Sequence, residues 1–173
     1  MSSEDIIKLV FEDSKDVRTI LGYLEAGNLH EATLKHGISM KRFLCLDYKG
    51  ENDYEIVNYI LDYEFNHNIE LASQEELEEL GEFEYEFLPE SIREANKVIS
   101  KMGYGLFSYP TFSDFYALFI DKLENKTKLL QISFLLTKES FQKKNPYSII
   151  AKTKIRISYS KHKEFFELIE YGL

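Results

Sequence analysis

Tyr104-Gly105-Leu106-Phe107-Ser108-Tyr109, then Pro110-Thr111-Phe112-Ser113-Asp114, then Phe115-Tyr116-Ala117-Leu118-Phe119-Ile120-Asp121-Lys122-Leu123 is the stretch whose reading decides the fold. Aromatic and aliphatic side chains fill both outer runs, as pleated, partly buried strands favour. The five residues between them are turn formers: proline fixes φ, and serine and aspartate accept hydrogen bonds from nearby backbone. Two antiparallel strands follow. Glu124-Asn125-Lys126-Thr127 reads as a second turn into Leu129–Leu136, so the expectation is a meander over residues 104–136.

Upstream, Phe43-Leu44-Cys45-Leu46 is a short apolar run bounded by charge and closed by Gly50, which suits a buried strand. The remainder before residue 104 has helical spacing. Ser3 caps Ile6, Ile7, Val10 and Phe11; a second helix carries Val17, Ile20 and Leu21; residues 28–37 hold a short helical turn. Asp53 is placed to cap a helix with Ile56, Val57, Ile60, Leu61 and Phe65 along its inner stripe. Leu77 and Leu80 form a short helix broken at Gly81, followed by an edge strand or extended loop. Pro89 then opens a helix that ends at Gly103. Downstream, Thr137 starts a short helix, residues 149–159 alternate as a late strand, and Ser160 caps a final helix. With no repeat or linker, the pattern is one α+β domain over residues 1–173: an antiparallel sheet covered by helices.

Composition narrows the classes. At 44% hydrophobic and 14% aromatic, the 173 residues can build a core, and a single cysteine excludes an internal disulfide framework. Neither a secretion signal nor an apolar run long enough for a bilayer is visible, which points to the cytoplasm and away from a membrane. The net charge of −9 is unevenly spread. Residues 1–121 carry 10 basic and 25 acidic side chains, and residues 122–163 carry 11 basic and 2 acidic. Either the fold interleaves the two parts or an acidic face stands apart and attracts a basic partner.

Familiar chemistry is absent from the sequence. Gly103-Tyr104-Gly105 joins a helix to a strand, the wrong context for a dinucleotide loop. His30, His36, His67 and His162 are too scattered for a metal motif and read as surface histidines. Cys45 among Phe43, Leu44 and Leu46 reads as a small core residue. Asp47 at a strand end and Asp114 at a turn are the best carboxylate pair for acid–base work, and they define the enzyme alternative. The serines lack a nucleophile elbow. No cofactor and no metal are therefore expected. Lysines interleaved with Phe141, Tyr147 and Tyr159 could track nucleic acid, but the acidity of the rest opposes it. The most distinctive feature is Glu75–Glu90, with eight glutamates and no basic residue. Within it Glu82, Phe83, Glu84, Tyr85 and Glu86 alternate charge with aromatic rings, the surface a basic protein partner would dock on.

Phe43-Leu44-Cys45-Leu46-Asp47-Tyr48-Lys49, Met102-Gly103-Tyr104-Gly105-Leu106, Ser113-Asp114-Phe115-Tyr116-Ala117-Leu118-Phe119 and the closing Phe-Phe-Glu-Leu-Ile-Glu-Tyr-Gly-Leu occur in an order that resembles an uncharacterised bacterial family, domain of unknown function 6630. The resemblance runs from Phe43 onward, with residues 124–160 departing from it. It implies an α+β fold and a bacterial origin, and it implies no activity. The residues themselves favour a non-enzymatic protein-binding domain, in its concrete form an immunity-type protein that neutralises a basic toxin. The alternatives are a small enzyme at Asp47 and Asp114, or a domain with a regulatory role.

Overall fold

The computed structural model describes residues 3–23, 29–47, 54–111 and 113–130. Helices α1 (Ser3–Val10), α2 (Ser14–Tyr23) and α3 (Leu29–Ser39) precede strand β1 (Leu44–Asp47). Helices α4 (Glu55–His67), α5 (Gln74–Glu82) and α6 (Leu88–Ile99) follow, then strands β2 (Tyr104–Tyr109) and β3 (Phe115–Lys122). The strands form one antiparallel sheet in the order β1-β3-β2, with Cys45 opposite Ala117 and Leu106 opposite Ile120. The α+β class with a helix-covered antiparallel sheet stands.

The sheet is buried on both faces, and the two-residue period of its strands divides the core in two. Leu46, Leu106, Leu118 and Ile120 point to one face and meet Ile56, Ile60, Leu80, Ile92 and Ile99 of α4, α5 and α6. Phe43, Phe107, Tyr109, Ala117 and Phe119 point to the other and meet Ile7, Val10, Val17 and Ile20 of α1 and α2. A strand covered on both faces has no polar positions to alternate with, which is why residues 115–121 read as an almost unbroken apolar run.

Several element boundaries differ from the sequence expectation. The hairpin over residues 104–122 forms and β1 joins the sheet; among the described residues β1 takes the β3 edge at which a meander would have placed residues 129–136. Residues 126–130, expected as a turn and the start of a strand, are helical, with Leu129 buried against α1 and α2. Helix α5 runs through Gly81 to Glu82. A Cβ at Gly81 would come within 2.7 Å of the ring of Tyr54, an exposed side chain that can swing aside. Gly103 ends the α6 region at φ 80°, a left-handed conformation that suits glycine. On α4 the inner stripe is Ile56, Val57, Ile60 and Tyr63, whereas Leu61 and Phe65 are 45% and 87% exposed. The residue preceding α4 is Tyr54, which makes no side-chain cap, and Asp53 lies outside the described residues. So do residues 131–136 of the expected meander, the helix at Thr137, the strand at 149–159 and the helix from Ser160.

Candidate functional site

The acidic segment leaves α5 as irregular chain at residues 83–85 and bends into α6. It is the extended loop of the two expected forms. Glu82, Glu84 and Glu86 are exposed, while Phe83 and Tyr85 are half-buried between them. The Glu86 N–H donates to a Glu90 carboxylate oxygen at 3.1 Å, which fixes the entry to α6. Among the described residues, no ion pair involves Glu82, Glu84 or Glu86. Earlier in the run the charge is partly used: Glu76 completes a capping box with Ser73 and pairs with Lys101 at 2.5 Å. That lysine holds the Glu76 carboxyl down to about 2, helped by the Ser73 backbone and hydroxyl.

The register brings the expected carboxylate pair to one end of the sheet. Asp47 lies opposite Phe115, and Asp114 immediately precedes that residue. Both aspartates are exposed.

Two expectations about single residues are corrected. His30 is buried, stacked on Tyr109 with centroids 5.4 Å apart, and its Nε2 lies at hydrogen-bond distance from the Pro110 carbonyl. His36 is partly buried and meets Asp16 Oδ1 at 2.9 Å, while His67 is exposed. Cys45 is not a core residue but an exposed one. The apolar run around it alternates: Leu44 and Leu46 face the α4 side and Phe43 packs on the α1 side. Cys45 shares the Phe43 parity but lies beyond the cover that α1 supplies. Its thiol is nonetheless desolvated enough to sit above the usual thiol range. Among the described residues no group of three or more histidine, cysteine or carboxylate side chains could hold a metal.

A cleft of about 680 Å³ opens at β1, and the sequence had not indicated it. The segment joining α1 to α2 forms one wall with Glu12 and Asp13, α4 forms the other with Glu55 and Asp62, and the β1 segment lies between them. Tyr59 and Tyr63 supply aromatic surface. Arg42 fastens the cleft base by donating to the carbonyls of Val10 at 2.8 Å and Ile120 at 2.9 Å. Its guanidinium lies 5.3 Å from the Phe119 ring centroid and 3.9 Å from Asp121 Oδ2. Burial pushes the Asp121 carboxyl up, opposed by hydrogen bonds from Asn125 and the Lys122 backbone and by Arg42. Five carboxylates line this cleft against two cations, and Arg42 is already occupied within the fold. Period-two reading of β1 could have placed Cys45 outward, but the opposing walls come from residues 40 and more apart in pairs that no local pattern joins.

Residues 6–139 match the family model described as Domain of unknown function (DUF6630). The match takes in most of α1 together with α2 and α3, which the motif resemblance from Phe43 did not reach, and it stops before the closing helix motif. No curated protein and no solved structure matches the chain. No helix among the described residues is long and apolar enough to cross a membrane.

Proposed function

We propose, from the premise that this chain belongs to the domain of unknown function 6630 family, that it is a non-enzymatic cytoplasmic protein that binds a basic protein partner through its acidic face. Family membership brings no activity with it, so the proposal stands on chemistry. One observation carries it: from the last residue of α5 toward α6, exposed Glu82, Glu84 and Glu86 alternate with half-buried Phe83 and Tyr85. Carboxylates of this kind steer and select a cationic surface, and partly covered rings give it something apolar to settle on. An immunity-type protein that occupies the phosphate-binding lysines and arginines of a basic toxin is the concrete form of this reading. Nucleic acid is disfavoured by the same charge.

The enzyme alternative rests on the register that places Asp47 and Asp114 at one end of the sheet. It ranks second because two exposed carboxylates without an apolar enclosure lack the environment that tunes an acid and a base apart.

The test replaces Glu82, Glu84 and Glu86 together with Gln. The melting temperature should move by no more than a degree or so, because exposed positions away from packing contribute little. Capture of a basic protein, with egg-white lysozyme as the probe, should weaken at least about tenfold. Unchanged capture overturns the reading.

A further inference from the structure

The two edges of the sheet are finished differently. On β2, the outer groups of Leu106 are satisfied by Asn96 of α6: the Leu106 N–H donates to Asn96 Oδ1 at 2.7 Å, and Asn96 Nδ2 donates back to the Leu106 carbonyl at 3.4 Å. Leu106 therefore turns its backbone away from its opposite residue, Ile120. In an antiparallel ladder such pairs alternate with pairs that exchange hydrogen bonds. Ile120 must then turn its own groups toward the β1 side, where its carbonyl accepts from Arg42. Two residues back, Leu118 does the same, and then Tyr116. The bonded pairs across β1 and β3 are Leu44 with Leu118 and Leu46 with Tyr116.

Cys45, between them, points its N–H and C=O away from the sheet. The Phe43 N–H, two residues earlier, points the same way and is taken by the Gly37 carbonyl at 3.1 Å. At Cys45 no such cover is found among the described residues, and the residue lines the cleft between Glu12 and Asp62. Among the described residues, the base of the cleft is thus a strand edge left open at Cys45, and its walls carry an excess of negative charge.

We propose that this cleft takes an extended, basic segment of a partner protein, which pairs its backbone with Cys45 as an added strand and sets lysine or arginine side chains against Glu12 and Asp62. An open edge supplies main-chain hydrogen bonds to any extended chain, and the walls select by charge. The cleft does not include residues 82–86, so this inference goes beyond the acidic-face reading and stands apart from it.

The probe is a capped hexapeptide of alternating valine and lysine, titrated into the full chain by fluorescence anisotropy. Its control has the same sequence with alternate backbone nitrogens methylated, which keeps the charge and removes the pairing. The unmodified peptide should bind at least about tenfold tighter than the methylated one. It should slow hydrogen exchange at the Cys45 amide, and Glu12→Gln with Asp62→Asn should weaken it several-fold. Glu82→Gln, Glu84→Gln and Glu86→Gln together should leave it unchanged, so failure here and failure of the acidic-face reading are distinguishable. Equal affinity for the two peptides, or no binding of either, overturns the proposal. So does a Cys45 amide that in the free protein exchanges as slowly as those of Leu44 and Leu46, since the chain itself would then cover the edge.

Discussion

Asn96 is buried, sits on a helix and nevertheless does the work of a strand, by closing both outward backbone groups of Leu106. Replacing it with leucine fills the same space but strands one buried donor and one acceptor, at about 1–3 kcal/mol. Asn96→Leu should lower the free energy of denaturant unfolding by that amount and, by opening the β2 edge, increase self-association on mild heating. A variant as stable and as monomeric as the parent would show that water satisfies that edge unaided. Glu76 makes a different prediction, through pH. Its carboxyl is held near 2 by Lys101 and the Ser73 cap, below the ordinary 4.5. A depressed carboxyl contributes stability that is fully present above the unfolded value and is lost as pH falls through the folded one. The contribution of Glu76 should therefore be lost between about pH 4.5 and 2, so the gap in melting temperature between wild type and Glu76→Gln should narrow over that range. Asp121 works in the opposite direction: a carboxyl raised by burial favours the folded state below its unfolded value and loses that contribution as pH rises through the folded one.

Helix α4 shows what an element's sequence declares and what it withholds. Its existence was plain from the spacing of Ile56, Val57 and Ile60, but the inner stripe was drawn through Leu61 and Phe65, which lie outside. Hydrophobicity says that a side chain prefers to be buried, whereas its phase on the helix is set by what stands opposite. Here the sheet claims Tyr63, an amphipathic ring the pattern undervalued. Ile60→Ala should cost about 2–5 kcal/mol, because its neighbours on α5 and the sheet cannot close the cavity. Phe65→Ser should change stability by less than about 0.5 kcal/mol. Equal losses in urea titrations would mean Phe65 is covered in solution. The strands were legible for the opposite reason. Phe115 to Ile120 is apolar on both parities, and only a strand sandwiched between two helical layers makes use of both. Cys45 was misplaced because a run of four apolar residues does not reveal where a covering helix ends. The alternation of exposed glutamates with half-buried rings over residues 82–86 was legible in the sequence. The cleft was not, since Glu12, Cys45 and Asp62 become neighbours only through the three-layer packing.

At the scale of the molecule, the question is where 15 excess negative charges over residues 1–121 find compensation. Within the described residues the compensation is local and partial: Lys101 takes Glu76, Lys97 takes Glu94 and Lys8 takes Glu4. The docking reading leaves exposed carboxylates such as Glu82, Glu84 and Glu86 facing solvent and repelling one another. Salt screens such repulsion over about 10 Å at 0.1 M, so it should favour the folded state. The melting temperature should rise or hold steady as sodium chloride is raised from about 0.02 to 0.5 M, while affinity for the valine–lysine peptide falls steeply over the same range. If instead the lysines between Lys138 and Lys163 neutralise the acidic face within the fold, salt would weaken those contacts and the melting temperature would fall. The two arrangements give opposite signs in one titration, and a falling curve would leave the acidic face without a free surface to offer.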